Sequence, residues 1–189
     1  MKVSVIENSP QVMRIDVSGI GYGMANAIRR TVIGRVNCFA IDSVTFYENT
    51  SAIFDEYLAH RLGLVPILTP KDYDEKDEVV FSLEAEGPAT VYSKELKSSD
   101  KNVKVANPNI PIIKLAEGQR LHVDGKAVVG TGNRSAKFQP GIASYKTKNG
   151  KDFEFYFESF GQMNANEIAR RALDIISSGL KDVHKELKK

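Results

Sequence analysis

The stretch "SGIGYGMANAIRRTV", Ser18 to Val32, has the residue types of a phosphate-binding loop. Three alternating glycines within Gly19–Gly23 follow a possible strand, Val12–Val17, and a helical pattern starts near Met24. Backbone amides of such a loop at a helix N-terminus can bind phosphate. Asp42 follows at about the 20-residue distance at which the dinucleotide-binding fingerprint places a ribose-binding carboxylate. The stretch therefore raises the hypothesis of a small nucleotide-binding enzyme.

Two features of the sequence count against that hypothesis. The third glycine position of the fingerprint is Met24, where close helix-to-strand packing favours the smallest residue. In addition, no helical periodicity is found between about Gly63 and Asn164, whereas a dinucleotide-binding sheet alternates strands with crossover helices. The alternative interpretation is that the glycines form a tight, close-packed turn that leads into the helix.

Other catalytic or metal-binding constellations are absent from the sequence. The histidines, His60, His122 and His184, are scattered, and Glu56 with His60 at helical spacing lacks a third candidate ligand. The single cysteine, Cys38, excludes an intrachain disulfide and a thiolate zinc or iron–sulfur site, and we predict that it is a small buried hydrophobe. No serine or cysteine lies in a nucleophile-elbow motif. We therefore predict no catalytic residues, no zinc and no iron–sulfur cluster.

Composition places the chain among soluble globular proteins. It has 189 residues, of which 42% are hydrophobic and 26% charged, enough for one good core or two modest ones. The net charge of +2 is small for a general nucleic-acid binder, so we expect no direct sequence-specific contact with DNA. No window approaches the roughly 18 consecutive apolar residues of a membrane span. We expect a cytoplasmic location and no membrane partner.

Helical periodicity occurs in three places. The first predicted helix runs from about Met24 to Gly34, with Ile28 in its apolar stripe. The second runs from about Ser51 to Leu62 and is capped by Thr50 or Ser51. The third begins at Asn164, where Glu167 would complete a capping box, and continues to about Leu187.

The segment between the second and third helices has the pattern of strands and turns. "EVVFSLEAEG" and "ATVYSKEL" are predicted to pair, and "RLHVDGKAVV" is predicted to form two short strands turning at Asp124–Gly125. The Asn-Gly turn in Lys148–Gly150 leads into a strand in which Phe153, Phe155 and Phe157 share one face. The predicted fold class is α+β.

The last helix carries a long apolar stripe. Its members follow one another at steps of four and three: Ala169, Leu173, Ile176, Leu180, Val183 and Leu187. Ile168, Ala172 and Ile175 widen the stripe on one flank. Either one surface packs on the chain's own sheet while the other meets a partner, or the stripe is a single broad core face. Gly179 inside the pattern is unfavourable for a long coiled coil but suits a close helix crossing.

Two adjacent arginines, Arg29 and Arg30, lie in the first helix. They project about 100° apart, so both cannot join its apolar face. Either they are simply solvated, or one of them clamps a carboxylate or carbonyl of a partner through its planar guanidinium.

Three stretches of the chain resemble a known family. They are "ANAIRRTVIGRV" at Ala25–Val36, "DEYLAHRLGLVPI" at Asp55–Ile67 and "GNRSAKFQPG" at Gly132–Gly141. In this order they resemble the signature stretches of the D-type subunits of archaeal RNA polymerase. That family is the counterpart of the N-terminal domain of the bacterial alpha subunit and of the third-largest subunit of eukaryotic RNA polymerase II.

The resemblance implies a discontinuous dimerisation domain at residues 1–45 and 151–189, formed by a sheet with the first and last helices. A strand-rich, alpha-subunit-like domain would be inserted at residues 46–150. The first and last helices would pack against the equivalent pair of the small subunit L. The implied dimer-interface residues are Met24, Ile28, Val32, Ala169, Leu173, Ile176, Leu180, Val183 and Leu187.

The resemblance also implies the function of a non-catalytic assembly subunit of DNA-directed RNA polymerase. The heterodimer with subunit L would recruit small zinc-binding subunits and form a platform for the large catalytic subunits. The implied large-subunit contacts are Asn26, Arg29, Arg30, His60, Arg61 and Lys137. Arg30 would be the residue that reaches the second-largest subunit.

The chain departs from the family in one respect that bears on cofactors. Many archaeal relatives carry a cysteine-rich iron–sulfur domain after the A-K-W/F-x-P motif, whereas here Ala136–Pro140 leads directly into the predicted hairpin of Tyr145–Asp152. The cysteines of the eukaryotic zinc loop are also missing, and we expect no counterpart of the DNA-contacting C-terminal domain of bacterial alpha. The competing functions are the nucleotide-binding enzyme that uses Gly19–Gly23 and a homodimeric interaction module unrelated to transcription.

Overall fold

The computed structural model describes residues 1–147 and 149–188. The α-helices and strands are β1 Lys2–Asn8, β2 Val12–Ser18, α1 Tyr22–Gly34, β3 Asn37–Asn49, α2 Asp55–Gly63, β4 Glu78–Glu86, β5 Ala89–Tyr92, β6 Lys97–Ser98, β7 Pro111–Leu115, β8 Arg120–Thr131, β9 Gly141–Thr147, β10 Asp152–Ser159 and α3 Ala165–Glu186. Short 3₁₀ turns lie at Ser93–Glu95 and Ala136–Phe138. This arrangement of antiparallel sheets and three α-helices confirms the predicted α+β class.

The chain forms two compact units. The first consists of Met1–Asn37 with Thr131–Lys189, and the second of Cys38–Gly130. The predicted domain boundaries were residues 45/46 and 150/151, whereas residues 38–45 are found in the second unit and the segment 131–150 in the first. The physical reason for the second difference is that β9 pairs with β10 along its whole length, from Gly141↔Ser159 to Thr147↔Phe153.

The first unit is an antiparallel sheet with α1 and α3 packed on it. The strand order is β1-β2-β10-β9. Phe153, Phe155 and Phe157 alternate along β10 toward the helices, and all three are buried, as the period-two pattern predicts. α1 packs on β9, and α3 packs on β10 and β2.

The turn between β9 and β10 was predicted from the Asn-Gly pair. Gly150 has a φ of +72°, which favours glycine. The Oδ1 of Asn149 accepts hydrogen bonds from the backbone amides of Lys151 (3.0 Å) and Asp152 (2.9 Å). The paired strands and these turn contacts confirm the hairpin; Lys148 lies outside the described residues.

The second unit has a sheet of order β3-β8-β4-β6 and a two-stranded sheet of β5 and β7. Its core includes Phe39, Phe81 and Leu83, together with Leu58 and Leu62 from α2. Between α2 and α3 the described residues contain no α-helix, which agrees with the sequence pattern.

Two strand predictions in the second unit were wrong. β4 pairs with β8 and β6, whereas β5 pairs with β7, so the first two predicted strands are not partners. β8 continues through Asp124–Gly125 without a turn. Gly125 does not have the positive φ that an Asp-Gly hairpin turn requires. A Cβ at Gly125 would lie 3.0 Å from a side-chain methyl of Ile41, so close packing explains this glycine.

Two helix caps also differ from prediction. α2 begins at Asp55 and not at Ser51, because the Ser51 hydroxyl donates to Asn49 Oδ1 (2.7 Å) in the preceding turn. Asn164 precedes α3 as expected, but no side-chain cap forms. Glu167 instead pairs with Arg171 one turn later, at 3.0 Å.

Two further properties of the described chain bear on function. None of its helices is both long enough and apolar enough to cross a membrane. Cys38 is completely buried, as predicted from its apolar surroundings.

Candidate subunit interfaces

The Gly19–Gly23 loop lacks the architecture of a dinucleotide site. It connects an antiparallel strand, β2, to α1, so the parallel strand–helix–strand unit of that fold is missing here. Only Gly19 requires glycine, because it has a φ of +81° and its added Cβ would lie 3.3 Å from Met1 Cα. A Cβ at Gly21 or Gly23 would meet nothing within 4 Å. The predicted close-packed turn is therefore confirmed for Gly19 and wrong for the other two glycines.

The apolar stripe of α3 is divided along the length of the helix. Its N-terminal half is buried in the first unit through Ala165, Ile168, Ala169 and Ala172. Every described residue from Ser177 to the end of the described chain is exposed. Neither interpretation of the stripe was complete, because Ala169 with the flanking Ile168 and Ala172 is core, whereas Leu173 is 48% exposed and every described residue from Ser177 onward is exposed.

We define the projecting half of α3 as residues 177–186. It continues the stripe with Leu180 and Val183, whose exposed fractions are 60% and 58%, and Leu187 follows just beyond the helix. No atom of the described chain lies within 4 Å of a Cβ built at Gly179, apart from the helix's own backbone. An amphipathic helix half whose apolar residues are all exposed is a candidate protein contact.

The predicted dimer-interface set is therefore split by burial. Ile28, Val32 and Ala169 are core residues that pack inside the first unit, and their contact with a partner stays a prediction. Ile176 is half-buried. The exposed members are Met24, Leu173, Leu180, Val183 and Leu187.

Three polar residues of α1, Asn26, Arg29 and Arg30, are not among its buried residues. Asn26 and Arg29 are half-buried, whereas Arg30 is exposed. Since α1 contains no acidic residue, nothing within the helix offsets its two cations. This face can bind a carboxylate or a row of carbonyls through the planar guanidinium of Arg30.

Arg61 and His60 on α2 have different environments. Arg61 donates from Nε to the carbonyl of Ile112 (3.0 Å) and from Nη2 to that of Pro111 (2.6 Å). Its guanidinium also lies 5.9 Å from the centre of the Tyr57 ring. Arg61 thus holds α2 to the start of β7, whereas His60 is exposed.

Lys137 lies in the segment that follows β8. Its Nζ lies 5.5 Å from the centre of the Phe138 ring, and the guanidinium of Arg134 lies 5.1 Å from the same ring. Phe138 is completely buried, so the ring that both cations approach belongs to the core of the protein. The backbone amide of Asn133 donates to the carbonyl of Gly34 (2.9 Å), which attaches this segment to the end of α1.

Two surfaces were missed by the sequence analysis. In and beside α2, three large apolar or aromatic side chains are exposed: Phe54 just before the helix (80%), Tyr57 within it and Leu64 just after it. On β1, Val3 and Val5 are exposed although their register places them on the helix-covered side of the sheet. The alternation in "KVSVIEN" was a usable signal for the second of these surfaces.

The other side of the first sheet carries a charged network. The Glu154 carboxylate accepts a hydrogen bond from Arg14 Nη2 (2.6 Å) and lies 2.7 Å from Lys146 Nζ. These two cations, Lys146 first, hold the pKa of Glu154 below its ordinary value, and Glu154 raises the pKa of Arg14. This face is polar and differs in character from the apolar α3 surface.

The described residues contain no group of three or more His, Cys, Asp or Glu side chains placed to hold a metal ion.

Comparisons with known proteins all point to one family. Residues 44–143 match the RNA polymerase Rpb3/RpoA insert domain. DNA-directed RNA polymerase subunit Rpo3 of Pyrococcus furiosus is 49% identical over 153 residues, which cover 77% of this chain and 59% of that protein. The subunit Rpo3 of Thermococcus kodakarensis is 50% identical over 153 residues, with the same two coverages.

A third relative is covered more fully. Subunit Rpo3 of Methanocaldococcus jannaschii is 49% identical over 154 residues, or 82% of this chain and 79% of that protein. The chain thus spans about three-fifths of the first two relatives and about four-fifths of the third. These matches confirm the resemblance found in the three sequence motifs. The chain belongs to the archaeal family of DNA-directed RNA polymerase subunit Rpo3, whose insert domain is shared with Rpb3 and RpoA.

Proposed function

We propose that this chain is a non-catalytic assembly subunit that pairs with the small RNA polymerase subunit L. The heterodimer then acts as the platform on which the large catalytic subunits assemble. The observation that carries the proposal is the projecting half of α3, whose apolar side chains are more than half exposed in the chain itself. Family membership supports a partner within RNA polymerase.

Energetics favour a helical partner for this surface. Burying a leucine or valine side chain contributes about 1.5–3 kcal/mol relative to leaving it exposed. Leu180, Val183 and Leu187 repeat at steps of three and four, which is the spacing of a helix-packing seam. Pairing would therefore recover hydrophobic free energy that the isolated chain leaves unused, and we expect the chain alone to be poorly soluble.

The test is co-expression with subunit L, followed by purification and native mass spectrometry. We expect a soluble one-to-one heterodimer for the wild type. Ile176→Asp or Leu180→Asp should abolish pairing, because each would bury an unpaired carboxylate among apolar side chains.

Ser178→Asp is the matched control. Ser178 is exposed and lies about 160° around the helix from Leu180, by a rotation of 100° per residue. The Ser178→Asp variant adds the same charge outside the row formed by Leu180, Val183 and Leu187, so it should leave pairing intact. Survival of the heterodimer in both seam variants, or an equal loss in all three, would refute the assigned surface.

The proposal extends to the other partners and to cofactors. The face of Asn26, Arg29 and Arg30 is assigned to the large catalytic subunits, as are His60 and Lys137, and small zinc-binding subunits join the same assembly. The chain itself holds neither zinc nor an iron–sulfur cluster and acts in the cytoplasm without direct sequence-specific DNA contact. Elemental analysis of the purified heterodimer should find no stoichiometric iron bound to this chain; one cluster per chain would refute that part.

A further inference from the structure

Rows of apolar side chains cross the first sheet on the face that α1 and α3 cover. In each row the residue on β1 is exposed to solvent. The strand register aligns Phe153, Val17 and Val3 in one row. Their exposed fractions are 1%, 6% and 57% in that order. Burial is therefore complete on β10 and β2 and is lost at the next strand.

A second row repeats the gradient. Phe155, Ile15 and Val5 are aligned across β10, β2 and β1. Phe155 is completely buried, Ile15 is half-buried, and Val5 is 60% exposed. Two successive apolar residues of β1 thus point toward the helix layer but have no helix over them.

The geometry of the layer explains this gap. Packed helices lie about 8–10 Å apart and neighbouring strands about 4.8 Å apart, so one helix covers about two strands. α1 packs on β9, while α3 packs on β10 and β2. Two helices therefore cover the sheet only as far as β2, and one further helix beside α3 would complete the layer.

We infer that β1 is a docking surface for an apolar helix face of the partner subunit, seated on Val3 and Val5 beside α3. This inference rests on the proposed function and identifies a second part of the same interface. The bordering helix, α3, also carries the exposed apolar residues Leu173 and Leu180.

A helix fits this surface better than an added strand. A strand paired with the free edge of β1 would satisfy its backbone groups but would leave the faces of Val3 and Val5 uncovered. A register shift between Val5 and Glu7 also interrupts the edge. The next row ends at the polar Asn8 on β1, and the two valine rows lie roughly 6.6 Å apart. That separation is close to the roughly 6 Å rise between positions i and i+4 of a helix.

Alternation along β1 supplies the test variants. Val5→Glu places a carboxylate on the helix-covered face, whereas Ser4→Glu places one on the opposite face, since Ser4 pairs with Asp16. Both side chains are already exposed in the chain, so neither change buries a charge in the isolated protein. Each variant is co-expressed with subunit L, and the dissociation constant of the heterodimer is measured.

Val5→Glu should raise the dissociation constant at least about tenfold, because pairing would bury an unpaired carboxylate. Ser4→Glu should change it less than about twofold, as for ordinary surface substitutions. Val5→Thr keeps the branched shape favoured in strands and should weaken pairing in the same direction as glutamate, but less.

The outcomes separate this inference from the proposed function. If Leu180→Asp disrupts the heterodimer while Val5→Glu has no effect, the inference about β1 is overturned and the proposed function stands. Equal weakening by Ser4→Glu and Val5→Glu would overturn docking on this face. If neither Leu180→Asp nor Val5→Glu affects pairing, the proposed function itself fails.

Discussion

Arg30 and Arg61 were both predicted to contact the large subunits, yet the two residues have different surroundings. The guanidinium of Arg61 is bound to two backbone carbonyls of its own unit, whereas Arg30 is exposed on a helix without acidic residues. A sequence motif identifies such residues together. It does not distinguish a residue that stabilises the fold from one that remains available to a partner.

Arg30→Ala should leave the heterodimer with subunit L intact and weaken the recovery of the large catalytic subunits. The expected cost is about 2–5 kcal/mol if the guanidinium becomes buried against a charged group of the partner. Arg30→Lys keeps the charge but loses the bidentate geometry, so an intermediate defect is expected. A pull-down with tagged heterodimer at two salt concentrations measures this. Equal recovery by wild type and Arg30→Ala at both salts would mean that Arg30 is only solvated.

Arg61→Ala should destabilise the chain by about 2 kcal/mol, because it removes charge-assisted hydrogen bonds to the carbonyls of Pro111 and Ile112. His60→Ala, one residue earlier and exposed, is the control and should stay within about 0.5 kcal/mol. Urea unfolding of both heterodimers gives the comparison. Arg61→Ala with wild-type stability and reduced recovery of large subunits would instead assign Arg61 to the interface.

Glu154 predicts a pH dependence of stability. Lys146 and Arg14 hold its folded-state pKa below the ordinary 4.5, so it contributes stability above about pH 4.5 that is lost as the pH falls through the lower folded value. Glu154→Gln should therefore be less stable than wild type at pH 7. The difference should shrink as the pH is lowered toward 3, as followed by urea midpoints. A difference that does not depend on pH would show that the carboxylate charge is not the cause.

At the scale of elements, α3 shows where periodicity is informative and where it stops. Its helical character and apolar stripe were predictable from the steps of three and four alone. The division of the stripe into a buried and an uncovered half was not, because it depends on where the sheet ends and not on the helix itself. The incorrect prediction of a turn at Asp124–Gly125 has a related cause. Glycine is required in a hairpin turn, but it is also required where a strand packs closely, as Gly125 does against Ile41.

Gly179 provides the prediction at this scale. Alanine favours a helix interior over glycine by about 1 kcal/mol, and a Cβ here meets nothing within 4 Å in the described chain. Gly179→Ala should nevertheless weaken pairing with subunit L, because a closely crossing partner helix would meet the added methyl. Ser178→Ala is the control: it raises helix propensity by at most about 0.7 kcal/mol and lies about 160° around the helix from Leu180. Tighter pairing by Gly179→Ala, equal to that of Ser178→Ala, would show that no helix crosses closely at this position.

At the scale of the whole molecule, the family and the α+β class were recognisable from three motifs and the order of elements. The boundaries of the two compact units were not, because the predicted boundary at residues 150/151 separates β9 from β10, although the pairing of these two strands keeps both in the first unit. The uncovered parts of α3 and β1 lie in the first unit, and under the proposed function each gains cover only from another chain. The chain is thus understood as one component of an assembly.

Affinity purification of the tagged chain from its native cell, with the bound proteins identified and quantified by mass spectrometry, tests the proposed assembly role most directly. Wild-type chain should recover subunit L at one-to-one stoichiometry together with the large catalytic RNA polymerase subunits. The Leu180→Asp chain, purified in parallel, should recover none of them. A wild-type chain that is isolated as a stable monomer, or that recovers partners unrelated to RNA polymerase, would contradict that role.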